Sequence, residues 1–258
     1  MNRIKLILLL FFCYLTSSAQ TRVMILGSVH TPTKYITKDT LLKALKDFKA
    51  DVILLELDTS LMDNNGIFKR DPGKMSLESG TAQSYRQANA GTVLRPIDVV
   101  YRNKYYTEHK TFAKENQMGK VIDSLFKNNM MNDTTWFITS SLCSATQILN
   151  NYGYMQLNDI NSKAYMDVAS SRQNLLYQRQ VAFIKNNDDL KTWYPFAKED
   201  ADFWDLRNDT MAHNIITYAR KYPGKNIAVI VGCYHKYALV DRLKDVAKTN
   251  GFTLVKNY

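Results

Sequence analysis

Cysteine, proline and glycine are scarce in this 258-residue sequence. Its three cysteines are too few for a structural zinc site built from a cysteine cluster. Five prolines and ten glycines, against 45% hydrophobic residues, exclude a low-complexity chain and indicate a packed globular protein. Two of the cysteines, Cys143 and Cys233, lie beyond the N-terminal apolar segment, and the sequence leaves open whether they form a disulfide.

A dense basic run is also missing, although the formal net charge is +10. The lysines are spread along the chain, and no RNA- or DNA-binding motif is present. Scattered positive charge of this kind is typical of a solvated basic surface. We therefore expect no nucleic-acid partner.

The first nineteen residues have the pattern of a secretory signal peptide. Arg3 and Lys5 precede an apolar run over residues 6–14, which is about half the ~20 residues that a membrane-spanning helix needs. The small residues 17–19 (SSA) predict cleavage before Gln20. No other segment is long and apolar enough to span a membrane, so we expect an exported protein, periplasmic or secreted, without stable membrane insertion.

A strand–helix–strand unit follows the predicted cleavage site. Residues 21–27 (TRVMILG) and 51–57 (DVILLEL) are nearly continuous apolar runs, the pattern of buried strands. Residues 37–48 place leucines and a phenylalanine at helical spacing between them. A βαβ unit of this length predicts a parallel sheet with a right-handed crossover.

Further strands are predicted near the middle and the end of the chain. Residues 92–100 (TVLRPIDVV) read as a third strand, with Pro96 near its end. Residues 226–232 (NIAVIVG) form another buried apolar run, which repeats the pattern at the start of the chain. A helix over 236–248 and a closing strand over 252–256 are expected after it.

The rest of the chain is predicted to be helical or irregular. Residues 58–91 are polar and contain turn signals, and residues 107–220 have mostly helical patterns. We therefore predict an α/β fold with a mainly parallel central sheet flanked by helices. Residues 20–258 would form a single domain, in which a helical insertion over about 105–205 caps the carboxyl edge of the sheet.

Two short motifs end in histidine at equivalent places in this pattern. GSVH over residues 27–30 follows the first strand, and GCYH over residues 232–235 follows the penultimate strand. Ligands of parallel sheets bind outside the carboxyl ends of the strands, and glycine lets the backbone turn sharply there. His30 and His235 could therefore bind one metal ion or share acid–base work. The alternative is that each histidine only caps a helix or packs against a loop.

Charged residues at strand ends are the next candidates. Glu56 interrupts an apolar strand, where an unpaired carboxylate would be costly to bury, so it is expected to face the same cleft as a metal ligand or general base. Asp58 and Asp98 also fall at strand ends and are weaker candidates. Arg207 precedes a helix predicted to begin near Asp209, and could neutralise a carboxylate or hold an anionic intermediate.

Together these motifs resemble the TraB/Tiki/GumN superfamily, which also embraces erythromycin esterases and ChaN haem-iron proteins. The resemblance implies two GxxH histidines, a glutamate and an arginine that line one pocket, and these fall on His30, His235, Glu56 and Arg207. Related members include metal-dependent peptidases, metal-free esterases and proteins without a settled activity. The matching segments are VMILGSVH, DVILLELD, LRNDTMAHNI and NIAVIVGCYHKYALVDRL.

The residues and the resemblance lead to one functional hypothesis and two alternatives. We predict an exported hydrolase of peptides or small esters in which His30, His235 and Glu56 bind a divalent metal ion and Arg207 stabilises the oxyanion. In the first alternative no metal is used, and one histidine acts as general base, oriented by Glu56. In the second, the chain is a binding protein for haem, iron or a small ligand.

Overall fold

Five strands form one sheet in the computed structural model, which describes residues 20–255; the predicted signal peptide, residues 1–19, lies outside the described residues. The strands are β1 (Thr21–Ser28), β2 (Val52–Asp58), β3 (Val93–Asp98), β4 (Asn226–Gly232) and β5 (Phe252–Leu254). Their order across the sheet is β3-β2-β4-β1-β5, and every neighbouring pair is parallel. The predicted parallel α/β fold is confirmed.

Ten α-helices are found within residues 20–255. They are α1 (Lys38–Phe48), α2 (Leu77–Ala88), α3 (Arg102–Glu108), α4 (Thr111–Lys127), α5 (Asp133–Asn150), α6 (Leu157–Ile160), α7 (Lys163–Asn174), α8 (Val181–Lys185), α9 (Tyr194–Lys221) and α10 (Cys233–Leu243). A π-helix, Leu175–Gln180, joins α7 to α8. No helix in this part of the chain is long and apolar enough to cross a membrane.

The strands are mostly apolar because helices cover both faces of the sheet. On one face, alternate residues such as Leu26 and Leu55 pack with buried residues of α1, α2 and α7. On the other face, Ile25 and Leu54 pack with residues of α9 and α10. A sheet covered on both sides buries every side chain of a central strand, which explains the continuous apolar runs of the sequence.

The helices between β3 and β4 pack partly on themselves. Buried residues of α4, α5, α8 and the start of α9 form a separate apolar cluster that includes Ile122, Ile138, Ile184 and Ala197. Helix α9 is 28 residues long and continues from this cluster onto the sheet. It therefore connects this cluster with the core of the sheet.

The two GxxH segments differ in their local structure, contrary to the predicted equivalence. After β4 the chain enters α10 directly at Cys233, so His235 lies in the first turn of a helix that was expected to begin at 236. After β1 an irregular segment leads to α1, whose first residue is Lys38. A capping box formed by Thr37 and Thr40 fixes that later start. His30 is consequently exposed, whereas His235 is buried.

Pro96 lies further inside its strand than predicted. It pairs with Leu55 within β3 rather than ending the strand. Strand β3 is at the edge of the sheet and has only β2 beside it. A proline is tolerated there because its missing N–H leaves no hydrogen bond of an inner ladder unmade.

Candidate functional site

The predicted motifs meet because β4 lies between β1 and β2 in the sheet. The carboxyl ends of these three strands are therefore neighbours, and each delivers one motif. Gly232 ends β4 and lies between His30 and Glu56. A Cβ atom built on it would be 3.2 Å from Glu56 Oε2 and 3.3 Å from His30 Nε2. Glycine at this position leaves the space in which the two side chains approach each other.

Glu56 is buried at the centre of the cluster, with 6% of its side chain exposed. The β2–β3 register shifts between Leu55 and Asp58, so Glu56 sits at an irregularity, a feature that commonly re-aims a side chain. Its Oε2 accepts a hydrogen bond of 2.6 Å from the Gly232 N–H, and its Oε1 accepts one of 2.6 Å from Arg207 Nη2. Burial opposes ionisation, but the neighbouring positive charges outweigh it and hold the pKa of Glu56 well below its ordinary value.

Arg207 is buried and lies within α9, not before a helix as predicted. Its Nε and Nη2 both donate to Asp98, at 3.1 and 2.7 Å, and its Nη1 donates to the Tyr106 hydroxyl at 3.2 Å. Arg102 joins the same network, since its Nη1 donates to Asp98 at 2.6 Å and lies 3.6 Å from Glu56. Two guanidinium groups and two carboxylates thus form one buried ionic network.

His235 is held in a single tautomer by a hydrogen-bonded amide. Asn208 Nδ2 donates to the Trp204 carbonyl at 2.8 Å, so Asn208 Oδ1 faces His235 Nδ1 at 2.8 Å and accepts a hydrogen bond from the Nδ1–H group. Nε2 is then the unprotonated nitrogen, and it lies 3.5 Å from Glu56 Oε1. Desolvation lowers the pKa of His235 to about 4 despite the nearby Glu56 carboxylate, so the ring is neutral at pH 7. The Trp204 ring stacks on the His235 ring, with 4.1 Å between the two ring centroids.

His30 has the opposite environment, with 62% of its side chain exposed. Its Nδ1 lies 3.2 Å from Oε1 of Glu78, in the first turn of α2. Neither oxygen of this buried carboxylate accepts a hydrogen bond within residues 20–255, so the ion pair with His30 compensates its burial. Glu78 is the main cause that raises the pKa of His30 to about 9, against desolvation and with help from Glu56.

A cavity of about 970 Å³ opens beside this cluster. His30, Glu56, Arg102 and Arg207 line it together with Tyr106. His235 is not among the described lining residues, because it lies behind Glu56 under the Trp204 ring. A ligand in the cavity would therefore meet the exposed imidazole of His30 before the buried guanidinium group of Arg207.

Of the four residues predicted for the site, His30, His235 and Arg207 contact or approach the fourth, Glu56. The two weaker candidates, Asp58 and Asp98, do not contact Glu56 directly. Asp58 accepts hydrogen bonds from the backbone N–H groups of Tyr101 and Asn103, so it fixes the start of α3. Asp98 neutralises Arg207. The catalytic roles assigned from the sequence stay predictions.

Three members of the cluster were missed by the sequence interpretation. Asn208 directly follows Arg207 in the segment LRNDTMAHNI, and Arg102 lies four residues after Asp98, so both had a local signal. Glu78 had no such signal in the sequence, because it lies in a polar segment that was predicted to form a loop and short helices. A 12-residue helix forms there instead, with Ser76 as its N-cap.

The donor set does not fit the divalent ion that the sequence predicts. Both oxygens of Glu56 already accept hydrogen bonds of 2.6 Å, from Gly232 and Arg207. A dication bound to this carboxylate would lie against the Arg207 guanidinium, and the two positive charges would repel each other. No group of three or more His, Cys, Asp or Glu side chains in residues 20–255 is arranged to hold a metal ion. The metal site stays a prediction from the sequence.

Both cysteines of the described chain are free thiols. Cys143 is exposed on α5, and Cys233 is buried at the start of α10, with Sγ 3.2 Å from the Tyr165 hydroxyl. Burial raises the pKa of the Cys233 thiol to about 11, which makes it a poor nucleophile at neutral pH.

Comparison with known proteins leaves the family open. No protein-family model matches the chain, and no curated protein matches it. Among solved structures, a mutant of the erythromycin esterase EreC in its open conformation is similar, with 16% sequence identity and a TM-score of 0.30. The match covers 86% of this chain and 63% of that chain. A similarity at this level carries no argument about function, and the TraB/Tiki/GumN resemblance stays a prediction.

Proposed function

We propose that this chain is a metal-free hydrolase of small esters in which His30 is the general base. The observation that supports this proposal is the pairing of His30 with Glu78 at the wall of the cavity. In the neutral imidazole a carboxylate at Nδ1 holds the remaining proton there and leaves Nε2 as the proton acceptor, the order found in carboxylate–histidine catalytic pairs. Because the pKa of His30 is raised to about 9, this neutral form predominates only in more alkaline solution. Glu78 takes the orienting role that the sequence interpretation gave to Glu56.

The reaction needs only water and the ester. His30 Nε2 removes a proton from a water molecule as its oxygen attacks the ester carbonyl carbon. The carbonyl oxygen gains negative charge, and the cavity-lining guanidinium groups of Arg102 and Arg207 stabilise it. When the bond to the alcohol oxygen breaks, the imidazolium of His30 returns the proton to the leaving alcohol.

Glu56 and His235 position these groups in the proposed mechanism. Glu56 is ionised and accepts two short hydrogen bonds, so it is a poor base, but it holds Arg207 and the end of β4 in place. His235 is neutral and buried, and its Nε2 and Glu56 Oε1 are two acceptors that face each other at 3.5 Å.

The test is turnover of nitrophenyl esters by the full chain. His30→Asn should lower kcat/KM by about 100-fold or more, the scale of lost general-base help. His213→Asn is the matched control, because His213 is an exposed histidine on α9 outside the cavity lining. Equal losses in both variants would contradict a catalytic His30, as would an unchanged rate for His30→Asn.

Metal analysis separates this proposal from the metal-dependent alternative. Turnover should persist after chelation and dialysis, with no stoichiometric metal by mass spectrometry. Turnover that is lost on chelation and restored by Zn²⁺ would instead support the metal-dependent hydrolase. If neither an ester nor a peptide library is cleaved, the hydrolase proposal is wrong, and a change in visible absorbance on haem titration would favour a binding protein.

A further inference from the structure

A second depression of about 440 Å³ adjoins the cavity on the exposed side of His30. We call it the cationic groove; its charged lining residues are His30, Lys38 and Lys74. None of the ten described residues that line it is an aspartate or a glutamate. His30 and Lys74 line both the groove and the cavity, so a ligand that reaches from one to the other would pass the His30 imidazole.

The two lysines of the groove are poorly neutralised. Lys38 makes no ion pair within residues 20–255, and the Lys74 ammonium group has only a contact of 4.0 Å with Asp71. The Lys74 side chain is 87% exposed. In contrast, Lys127 and Lys163 each pair with an aspartate one helical turn away at 2.6 Å. The groove thus concentrates two lysines of which only Lys74 has a carboxylate partner among the described residues, at the long distance of 4.0 Å.

The residues that line the neighbouring cavity also carry a net positive charge. Four lysine or arginine residues line the cavity (Arg70, Lys74, Arg102 and Arg207), against two carboxylates, the buried Glu56 and the exposed Asp71. Arg70, on the cavity wall, makes no ion pair within residues 20–255. An approaching ligand therefore meets a positive surface, which favours an anionic group.

We propose that the cationic groove binds a carboxylate or phosphate group of the ester substrate and so selects acidic esters. This inference rests on the proposed hydrolase function and names its substrate class. Lys38 and Lys74 are the specificity-determining residues, and His30 lies between the bound anion and the cavity in which the ester is cleaved. The contacts are solvent-exposed, so each lysine is expected to contribute about three-fold and the pair about ten-fold.

The experiment compares three acetyl esters that differ mainly in charge: those of 4-hydroxybenzoate, 4-hydroxybenzamide and 4-hydroxyphenyl phosphate. The native chain should cleave at least one anionic ester with a kcat/KM about ten-fold above that of the neutral amide ester. The double variant Lys38→Gln/Lys74→Gln should lose this preference through KM, with little change for the amide ester. Lys120→Gln is the matched control, because Lys120 is exposed on α4 outside the groove. The carboxylate and phosphate arms identify the preferred anion.

A binding measurement keeps this inference separate from the hydrolase proposal. Calorimetric titration of 4-hydroxybenzoate and of inorganic phosphate into the full chain should show binding that the double variant weakens about ten-fold and that added salt reduces. If esters are cleaved without regard to charge, the groove proposal is wrong and the hydrolase proposal stands. If no ester is cleaved, the hydrolase proposal fails and the titration alone decides whether the groove binds anions. Binding that is equal in the double variant would overturn the groove assignment.

Discussion

Replacing Glu56 with glutamine should destabilise the folded chain by about 2–4 kcal/mol. Breaking a buried ion pair by removing one partner costs about 3–5 kcal/mol, because the remaining charge is left uncompensated. The loss here should be about 1 kcal/mol smaller than that range, since Asp98 still accepts hydrogen bonds from Nε and Nη2 of Arg207. The same carboxylate also remains paired with Arg102 at 2.6 Å.

The glutamine amide cannot reproduce both short contacts of the carboxylate. If its NH₂ group takes the place of Oε2, it faces the Gly232 N–H; if it takes the place of Oε1, it faces Arg207 Nη2. Either orientation brings two donors together where a contact of 2.6 Å existed before. The second orientation is the better one, because the amide can then donate to the unprotonated His235 Nε2.

The assay is urea unfolding of the native chain and the variant, followed by tryptophan fluorescence at pH 7. Glu108→Gln is the control, because Glu108 is exposed and contacts only Lys104, at 3.7 Å, so it should change stability by less than about 0.5 kcal/mol. A loss below about 1 kcal/mol for Glu56→Gln would refute the buried-network reasoning. It would mean that Arg207 and Gly232 are satisfied without the carboxylate.

The pH dependence of the difference in unfolding free energy between the native chain and Glu56→Gln gives an independent check. Because the folded-state pKa of Glu56 is depressed below its ordinary value of 4.5, its stabilisation is full above that value and is lost as the pH falls further. The stability gap between native chain and variant should therefore be constant from pH 7 to about 5 and shrink in more acidic buffer. A gap that widens on acidification would contradict an ionised Glu56 in the folded state.

Three further predictions concern His30, Gly232 and the N-terminus. Because the pKa of His30 is raised to about 9, kcat/KM of the native chain should increase with pH and level off above about pH 9. Glu78→Gln should move the midpoint of this profile toward 6.5 and lower its plateau. An identical pH profile in both proteins would contradict the pairing of His30 with Glu78. Gly232→Ala should lower turnover more than ten-fold, because the added Cβ would crowd both His30 and Glu56. Gly91→Ala is the control and should leave turnover unchanged, because the space around Gly91 is open. Similar activities of the two variants would contradict the close approach of His30 and Glu56 at Gly232. Exported protein should begin at Gln20, and N-terminal sequencing that finds residues 1–19 attached would contradict the signal peptide.

The strands and their parallel arrangement could be predicted from the sequence because both faces of the sheet are covered. Strands such as those within residues 51–57 and 226–232 can be predicted without knowing which strands lie beside them. A strand that is buried on both faces consists mostly of apolar residues, and this run is visible in the sequence. The start of α1 is also determined by residues close in sequence, because Thr37 and Thr40 form its capping box within one turn. The carboxylate at Glu56 stood out for the same reason, as the single charge inside an apolar strand.

The partners of Glu56 depended on the tertiary structure. The insertion of β4 between β1 and β2 places Gly232 beside a carboxylate 176 residues away, and α9 brings Arg207 to it from 151 residues away. Glu78 could not be assigned to His30 from the sequence, because its helix lies in a segment that reads as polar and the ion pair exists only after α2 packs against α1 and β2. Sequence patterns report burial and local geometry, whereas the charge state of each histidine depends on which distant side chains the fold packs against it.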